Sequence, residues 1–211
     1  MKLNIFYADY RDFTDDIPDY PISEYRKAKL LRTPERRQSE QLLTELYLIK
    51  ALQTVRPDIE LPLNIKTGEY GKPFIPGIGI SFNISHSEYM FMCAIADTNI
   101  GVDIQRKVSA RRVDPIAIRF FTEDEQRVIA ESEDKEATFT SMWTIKESYL
   151  KALGTGLHSP LSSVNTGAMP DELSIPSDSG FRILRSSIDD YFYAVCYEGE
   201  DNPESVELIQ L

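Results

Sequence analysis

The chain is poor in the residues that define several common protein classes. It has two cysteines and two histidines in 211 residues. Cys93 lies in MFMCAIA and Cys196 in YFYAVCY, with no metal-ligand spacing and no third partner. Two thiols in apolar runs read as buried free cysteines in a reducing compartment, not as a disulfide framework or zinc site. Long hydrophobic runs are missing too. No stretch approaches the roughly 18 apolar residues of a membrane span. The N-terminal MKLNIFYADYRDF reaches an aspartate too soon for a signal-peptide apolar region. The expectation is a cytoplasmic protein with no membrane partner. Positive charge is scarce, with 23 Lys and Arg against 34 Asp and Glu and a net charge of -11. That disfavours nucleic acid as a partner, although a local basic cluster can still hold an anionic ligand. The phosphate-cradling G-x-x-x-x-G-K-[ST] loop is absent, and no repeat or low-complexity segment is visible.

What is present is enough for one sizeable core, or for two small lobes sharing one, since 42% of the residues are hydrophobic. Residues 2–8 read as a strand and 22–31 as a short basic helix. After Pro34 a second helix carries Leu42, Leu46, Ile49 and Gln53 on one stripe, flanked by Leu43 and Leu52, and Pro57 follows it. Residues 57–80 are rich in Pro and Gly and read as turns. Three strands are expected at 80–85, 89–96 and 99–104. Thr122 to Glu125 matches a capping box before Val128 and Ile129. A longer helix is predicted over 134–153, stopped by Gly154 and Gly156. The tail alternates strands (RILRSS, YFYAVCY, SVELIQL) with turns at Pro170, Pro176, Gly180 and Asn202-Pro203. The order indicates an α+β fold of two halves, 1–101 and 102–211.

Several residues invite a chemical reading, and each has a plainer one. In FNISHS (82–87), His86 alone is more often a hydrogen-bonded structural residue. Glu147 and Lys151, four apart on the long helix, alone form a routine solvated pair. Arg26, Lys27 and Lys29 alone are one face of a solvated helix. Asp103 is harder to set aside, because IGVDI looks half-buried and a buried carboxylate needs a partner; an edge strand with Asp103 facing water is the alternative.

Taken together these pieces fall in a specific order: a basic helix, Gly71-Lys72-Pro73, Phe82 to Ser87, Gly101 to Ile104, Phe120-Phe121, and Trp143 to Lys151. That order closely resembles the 4′-phosphopantetheinyl transferases of the surfactin-synthetase type. The resemblance covers about residues 20–165. It implies two similar α/β halves related by a pseudo-two-fold, with the active site in the cleft between them. Residues 1–101 would be the coenzyme A side, and 102–211 would carry the metal and catalytic helix. It implies transfer of the phosphopantetheine arm of coenzyme A to a serine of an acyl or peptidyl carrier protein, releasing adenosine 3′,5′-bisphosphate with Mg²⁺.

By the same resemblance Asp103 and Glu147 would hold the metal, and Glu147 would also accept the serine proton. Lys151 would neutralise the phosphates and leaving group, with Lys146 as a further phosphate contact. His86 and Ser85 would contact a coenzyme A phosphate. Gly71, Lys72 and Pro73 would line the adenine and phosphate side. Arg26, Lys27 and Lys29, with Arg37, are candidates for the 3′-phosphate. Gln105 stands where many members have a third carboxylate ligand, so water or Gln105 would complete the metal sphere. PIAIRFF (115–121), preceded by Arg111 and Arg112, is the expected carrier-docking patch, with Phe120 or Phe121 in the core. The chain is expected to be a monomer. A non-catalytic coenzyme A or carrier-protein binding module of the same fold is the alternative; intact Asp103, Glu147, Lys151 and His86 argue against it.

Overall fold

The structure, a computed structural model, describes residues 1–14, 17–156, 161–167 and 179–211. The expected turns at Pro170 and Pro176 lie outside the described residues. Among those described, the elements are β1 (Lys2–Asp9), α1 (Glu24–Leu30), α2 (Gln38–Val55), β2 (Lys66–Thr67), β3 (Pro73–Phe74), β4 (Ser81–Ser87), β5 (Met90–Ala96), β6 (Ile100–Arg106), α3 (Ala110–Phe120), α4 (Glu123–Glu131), α5 (Lys135–Leu153), β7 (Phe181–Ile188), β8 (Tyr191–Glu198) and β9 (Ser205–Gln210). Local chemistry fixes their ends. The Ser23 side chain caps α1 by accepting from Arg26 N–H, and Thr122 and Glu125 form the full capping box of α4. Gly154 closes α5 in the left-handed conformation, at φ 74°. The sequence pattern does not delimit α3. It is a helix despite Pro115 inside it, a residue that argues against a helix interior.

Two larger sheets form, β4-β5-β1-β9 and β6-β8-β7. β5 is buried along its whole length because both of its faces are covered. Its Met90, Met92 and Ala94 meet Val102, Tyr193 and Val195 of the second sheet, while its Phe91, Cys93 and Ile95 pack under α2. On the far side of the second sheet, Ala194 and Cys196 pack against Phe139, Met142 and Ile145 of α5. The layers therefore run α2, first sheet, second sheet, α5. The last strand returns to the beginning: β9 pairs in parallel with β1, from Lys2 opposite Ser205 to Tyr7 opposite Gln210.

α5 lies on β6 at backbone contact. A Cβ on Gly101 would stand 2.0 Å from the Ser148 carbonyl oxygen and 2.3 Å from the Ala152 nitrogen. Only glycine fits there. This approach sets Lys151 and Glu147 over the middle of β6.

Candidate active site

β4 and β6 are edge strands of different sheets, and among the described residues no backbone ladder joins them. Side chains of FNISHS bridge the gap. Alternation along the strand turns Asn83, Ser85 and Ser87 inward, and all three are buried. Asn83 Oδ1 accepts from Val102 N–H at 2.9 Å. Ser85 Oγ donates to Asp103 Oδ1 at 2.8 Å. Ser87 Oγ accepts from Arg106 N–H at 3.1 Å. His86 faces the other way and stays exposed, with Nδ1 4.0 Å from Glu40 Oε1 of α2. Partial burial holds its imidazole below the usual histidine range, against the pull of Glu40.

Asp103 is buried, with 7% of its surface exposed, so it needs partners. Besides Ser85 it takes a hydrogen bond from Lys151 Nζ, 2.6 Å from Oδ1. Lys151 also donates to Ser85 Oγ at 2.9 Å and to the Val102 carbonyl at 3.1 Å. Glu147 is one helical turn before Lys151. Burial, then the negative charge of Asp103, push its carboxyl above the usual range, and Lys151 offsets them in part.

Ser85, His86, Asp103 and Lys151 line a cavity of about 440 Å³, whereas Glu147 is not among its lining residues. Tyr70, Gly71, Lys72 and Pro73 line it as well. Arg26, Lys29, Gln41 and Thr44 bring α1 and α2 to its edge. Arg26 is 1% exposed. Its Nε donates to Glu45 Oε2 at 3.1 Å and Nη1 to Gln41 Oε1, while Nη2 is buried with no hydrogen-bond partner among the described residues. Lys29 Nζ stands 4.7 Å from the centre of the Tyr25 ring.

Other expected site residues stand elsewhere. Lys146 is not at the cavity. It is fully buried and its three donors are filled by Glu125 Oε2 and the Leu161 and Val164 carbonyls, at 2.8, 3.1 and 2.6 Å. One residue is about 100° on a helix, which turns it off the face of Glu147 and into the interior. Gln105 donates to the Arg106 carbonyl and lines a neighbouring cavity with Glu88 and Lys107. Lys27 pairs with Glu24, and Arg37 with Glu40, on exposed faces. Lys72 does line the cavity, and its ammonium is bonded to backbone carbonyls. Phe121 is core and Phe120 packs against it, whereas Ile118 of α3 is 71% exposed. Among the described residues, no three or more His, Cys, Asp or Glu side chains gather as a metal cluster. No described helix is long and apolar enough to cross a membrane.

The family model of the 4′-phosphopantetheinyl transferase superfamily matches residues 99–196, the span from β6 to β8. The 4′-phosphopantetheinyl transferase Sfp of Bacillus subtilis (strain 168) is 34% identical over 155 residues, 70% of this chain and 68% of the relative. The chain belongs to the 4′-phosphopantetheinyl transferase superfamily. A second relative, 4′-phosphopantetheinyl transferase gsp of Aneurinibacillus migulanus, is 39% identical over 125 residues, 58% of this chain and 50% of that protein. The match to that relative thus spans half its length. A third, 4′-phosphopantetheinyl transferase ffp of Bacillus subtilis, is 27% identical over 99% of this chain and 97% of its own length.

Within this site, sequence reasoning misses Asn83, Ser87, Gln41 and Thr44. For Asn83 and Ser87 a signal is available: polar residues at period two in a strand whose neighbours are apolar mark a second, polar contact face. Gln41 and Thr44 are three apart on α2 and share a face, but such spacing does not distinguish a cavity wall from a solvated surface.

Proposed function

We propose that this chain transfers the phosphopantetheine arm of coenzyme A to a serine hydroxyl of an acyl or peptidyl carrier protein. In that reaction the serine oxygen forms a bond to the β-phosphorus of coenzyme A. The bond from that phosphorus to the bridging oxygen breaks, and adenosine 3′,5′-bisphosphate leaves. The serine proton is lost to a base. The observation that carries the reading is the cavity itself. Its lining combines Arg26 and Lys29 of α1 with the Asp103–Lys151 pair of β6 and α5, and so suits a ligand phosphorylated in two places. Family membership supports the same reading.

In this reading the two sheets with their helices are the pseudo-two-fold halves. The first half is 1–99 together with β9, and the second runs from β6 to β8, because β6 begins at Ile100 and β9 pairs with β1. Coenzyme A lies in the cleft between them. Arg26 and Lys29 take the 3′-phosphate, the free Nη2 of Arg26 being the unfilled donor. His86 and Ser85 face the pyrophosphate. Lys151 neutralises charge on the phosphate oxygens and on the departing bisphosphate. Glu147, held above the usual carboxyl range, accepts the serine proton.

The donor set fits a hard divalent cation. Asp103 and Glu147 are carboxylates on β6 and α5, which meet at backbone contact at Gly101, and Mg²⁺ takes one or two carboxylates with phosphate oxygens and water. Bound there, Mg²⁺ would supply Lewis-acid stabilisation of the charge on the phosphate oxygens. Gln105 stands outside this set. The exposed face of α3 around Ile118, with Arg111 and Arg112, is the docking patch for an acidic carrier.

The test is a mass spectrum of apo acyl carrier protein after incubation with this protein, coenzyme A and Mg²⁺. The expected result is a gain of one phosphopantetheine arm that Glu147→Ala abolishes. No gain on several acyl and peptidyl carriers, with coenzyme A still bound, makes the chain a binding module.

A further inference from the structure

Lys72 belongs to the turn Gly68–Pro73, whose Tyr70, Gly71 and Pro73 line the cavity. The turn closes on itself through Gly71 N–H to the Gly68 carbonyl and Gly68 N–H to the Lys72 carbonyl. The side chain of Lys72 leaves this turn and crosses to two other elements. Its Nζ donates to the Ile100 carbonyl of β6 at 2.9 Å and to the Ala152 carbonyl of α5 at 2.9 Å. Ile100 precedes Gly101, where α5 touches β6, and Ala152 follows Lys151. The ammonium therefore sits where three pieces of the site converge.

We propose that Lys72 is a positioning residue, whose ammonium ties the cavity wall Gly68–Pro73 to the start of β6 and the last turn of α5. The wall and the two elements that carry Asp103 and Lys151 are thereby held in one geometry. The last carbonyls of a helix lack intrahelical donors and carry partial negative charge, so a cation there is favourable. Among the described residues Lys72 makes no ion pair with a carboxylate, so these carbonyls are its anchor. Its stem is confined as well: a Cβ on Gly154 would stand 3.4 Å from Lys72 Cδ. Two of its three donors are spent on protein, which is the arrangement of a tether. A phosphate ligand would present its donors to the cavity. The tether itself does not rest on the transferase reading.

Amide hydrogen exchange of the ligand-free protein tests the tether without any turnover. In Lys72→Met, exchange should accelerate roughly tenfold or more in residues 68–73 and 150–154, the scale of losing charge-assisted bonds. β5 should keep its protection, and Lys72→Arg, which keeps a cation with several donors, should restore slow exchange. Wild-type rates at 68–73 and 150–154 in Lys72→Met, with only coenzyme A binding weakened, would make Lys72 a ligand and overturn the proposal. Should Lys72→Met lose protection throughout, the wild-type protein decides. Its Lys72 Nζ resonance should stay in place as coenzyme A is added, and a large shift on binding would sink the tether.

Discussion

Ser85 Oγ and Asp103 Oδ1 stand 2.8 Å apart across the junction of two sheets. The serine comes from the edge of one sheet and the carboxylate from the edge of the other. The same Oδ1 takes Lys151 Nζ at 2.6 Å, so two donors aim one buried carboxylate. Ser85→Ala removes one of them and leaves Lys151 to hold Asp103 alone. We expect transfer activity to fall about tenfold, in line with a hydrogen bond to a charged group, and Asp103→Asn to fall much further. Single-turnover rates on a carrier protein check both, and equal rates for wild type and Ser85→Ala would refute this role.

Asn83 should act on stability. Its Oδ1 is the acceptor of the buried Val102 N–H. Asn83→Ala leaves that N–H unpaired at a site water does not reach, at a cost of about 1–3 kcal/mol. The midpoint of urea unfolding should drop while the slope holds.

Glu147 carries a pH signature. Its folded-state pKa is raised, first by burial and then by Asp103. Both folded and unfolded chains hold the proton well below the usual carboxyl range, so there is no penalty there. As pH rises the unfolded chain ionises first and the folded state loses ground. Wild type should therefore weaken relative to Glu147→Gln as pH climbs past the usual carboxyl range, and Mg²⁺ at neutral pH should reverse the order. Thermal melts with and without Mg²⁺ read this directly. Melts in which Mg²⁺ leaves the order of the two proteins unchanged would remove Glu147 from the cation site.

Lys72 has the opposite sign. Burial lowers its pKa from 10.5 to about 8. Below pH 8 both states are charged, and folding bears a desolvation cost that the two carbonyl bonds offset only in part. Between there and the unfolded value only the unfolded chain keeps the proton, so stability rises with pH. The difference in unfolding midpoint between wild type and Lys72→Met should grow in favour of wild type above pH 8.

Lys146 and Glu125 form a fully buried pair, 2.8 Å apart. Burial alone would raise the Glu125 carboxyl, but bonds from Lys146, Thr166 and Thr122 outweigh it and hold it low. Lys146→Ala strands a buried carboxylate and should cost about 3–5 kcal/mol. The double change Lys146→Met with Glu125→Leu should recover most of that loss, as denaturant melts would reveal.

Periodicity and caps make most elements legible in the chain itself. The Thr122 box, the Gly154 stop and the alternation in β4 are written in neighbouring residues. Asp103, a carboxylate in an apolar strand, is indeed buried. Lys146 defeats such reading, because adjacency to Glu147 says nothing about side-chain direction on a helix. Its partners Glu125, Leu161 and Val164 are 21, 15 and 18 residues away. The carbonyl anchors of Lys72 and the pairing of β9 with β1 leave no mark either. Both join segments distant in sequence through backbone atoms that every residue possesses, and no local pattern records such a contact.

That last pairing has a consequence in time. β1 leaves the ribosome long before β9, and Lys2 must wait for Ser205. A nascent chain grows from its N-terminus at about 5–20 residues per second. For the roughly ten seconds or more this implies, β1 has a vacant edge of N–H and C=O groups, which is a template for mispairing. The first sheet cannot close until β9 has emerged. Folding yield should therefore respond to whatever shields that edge during synthesis.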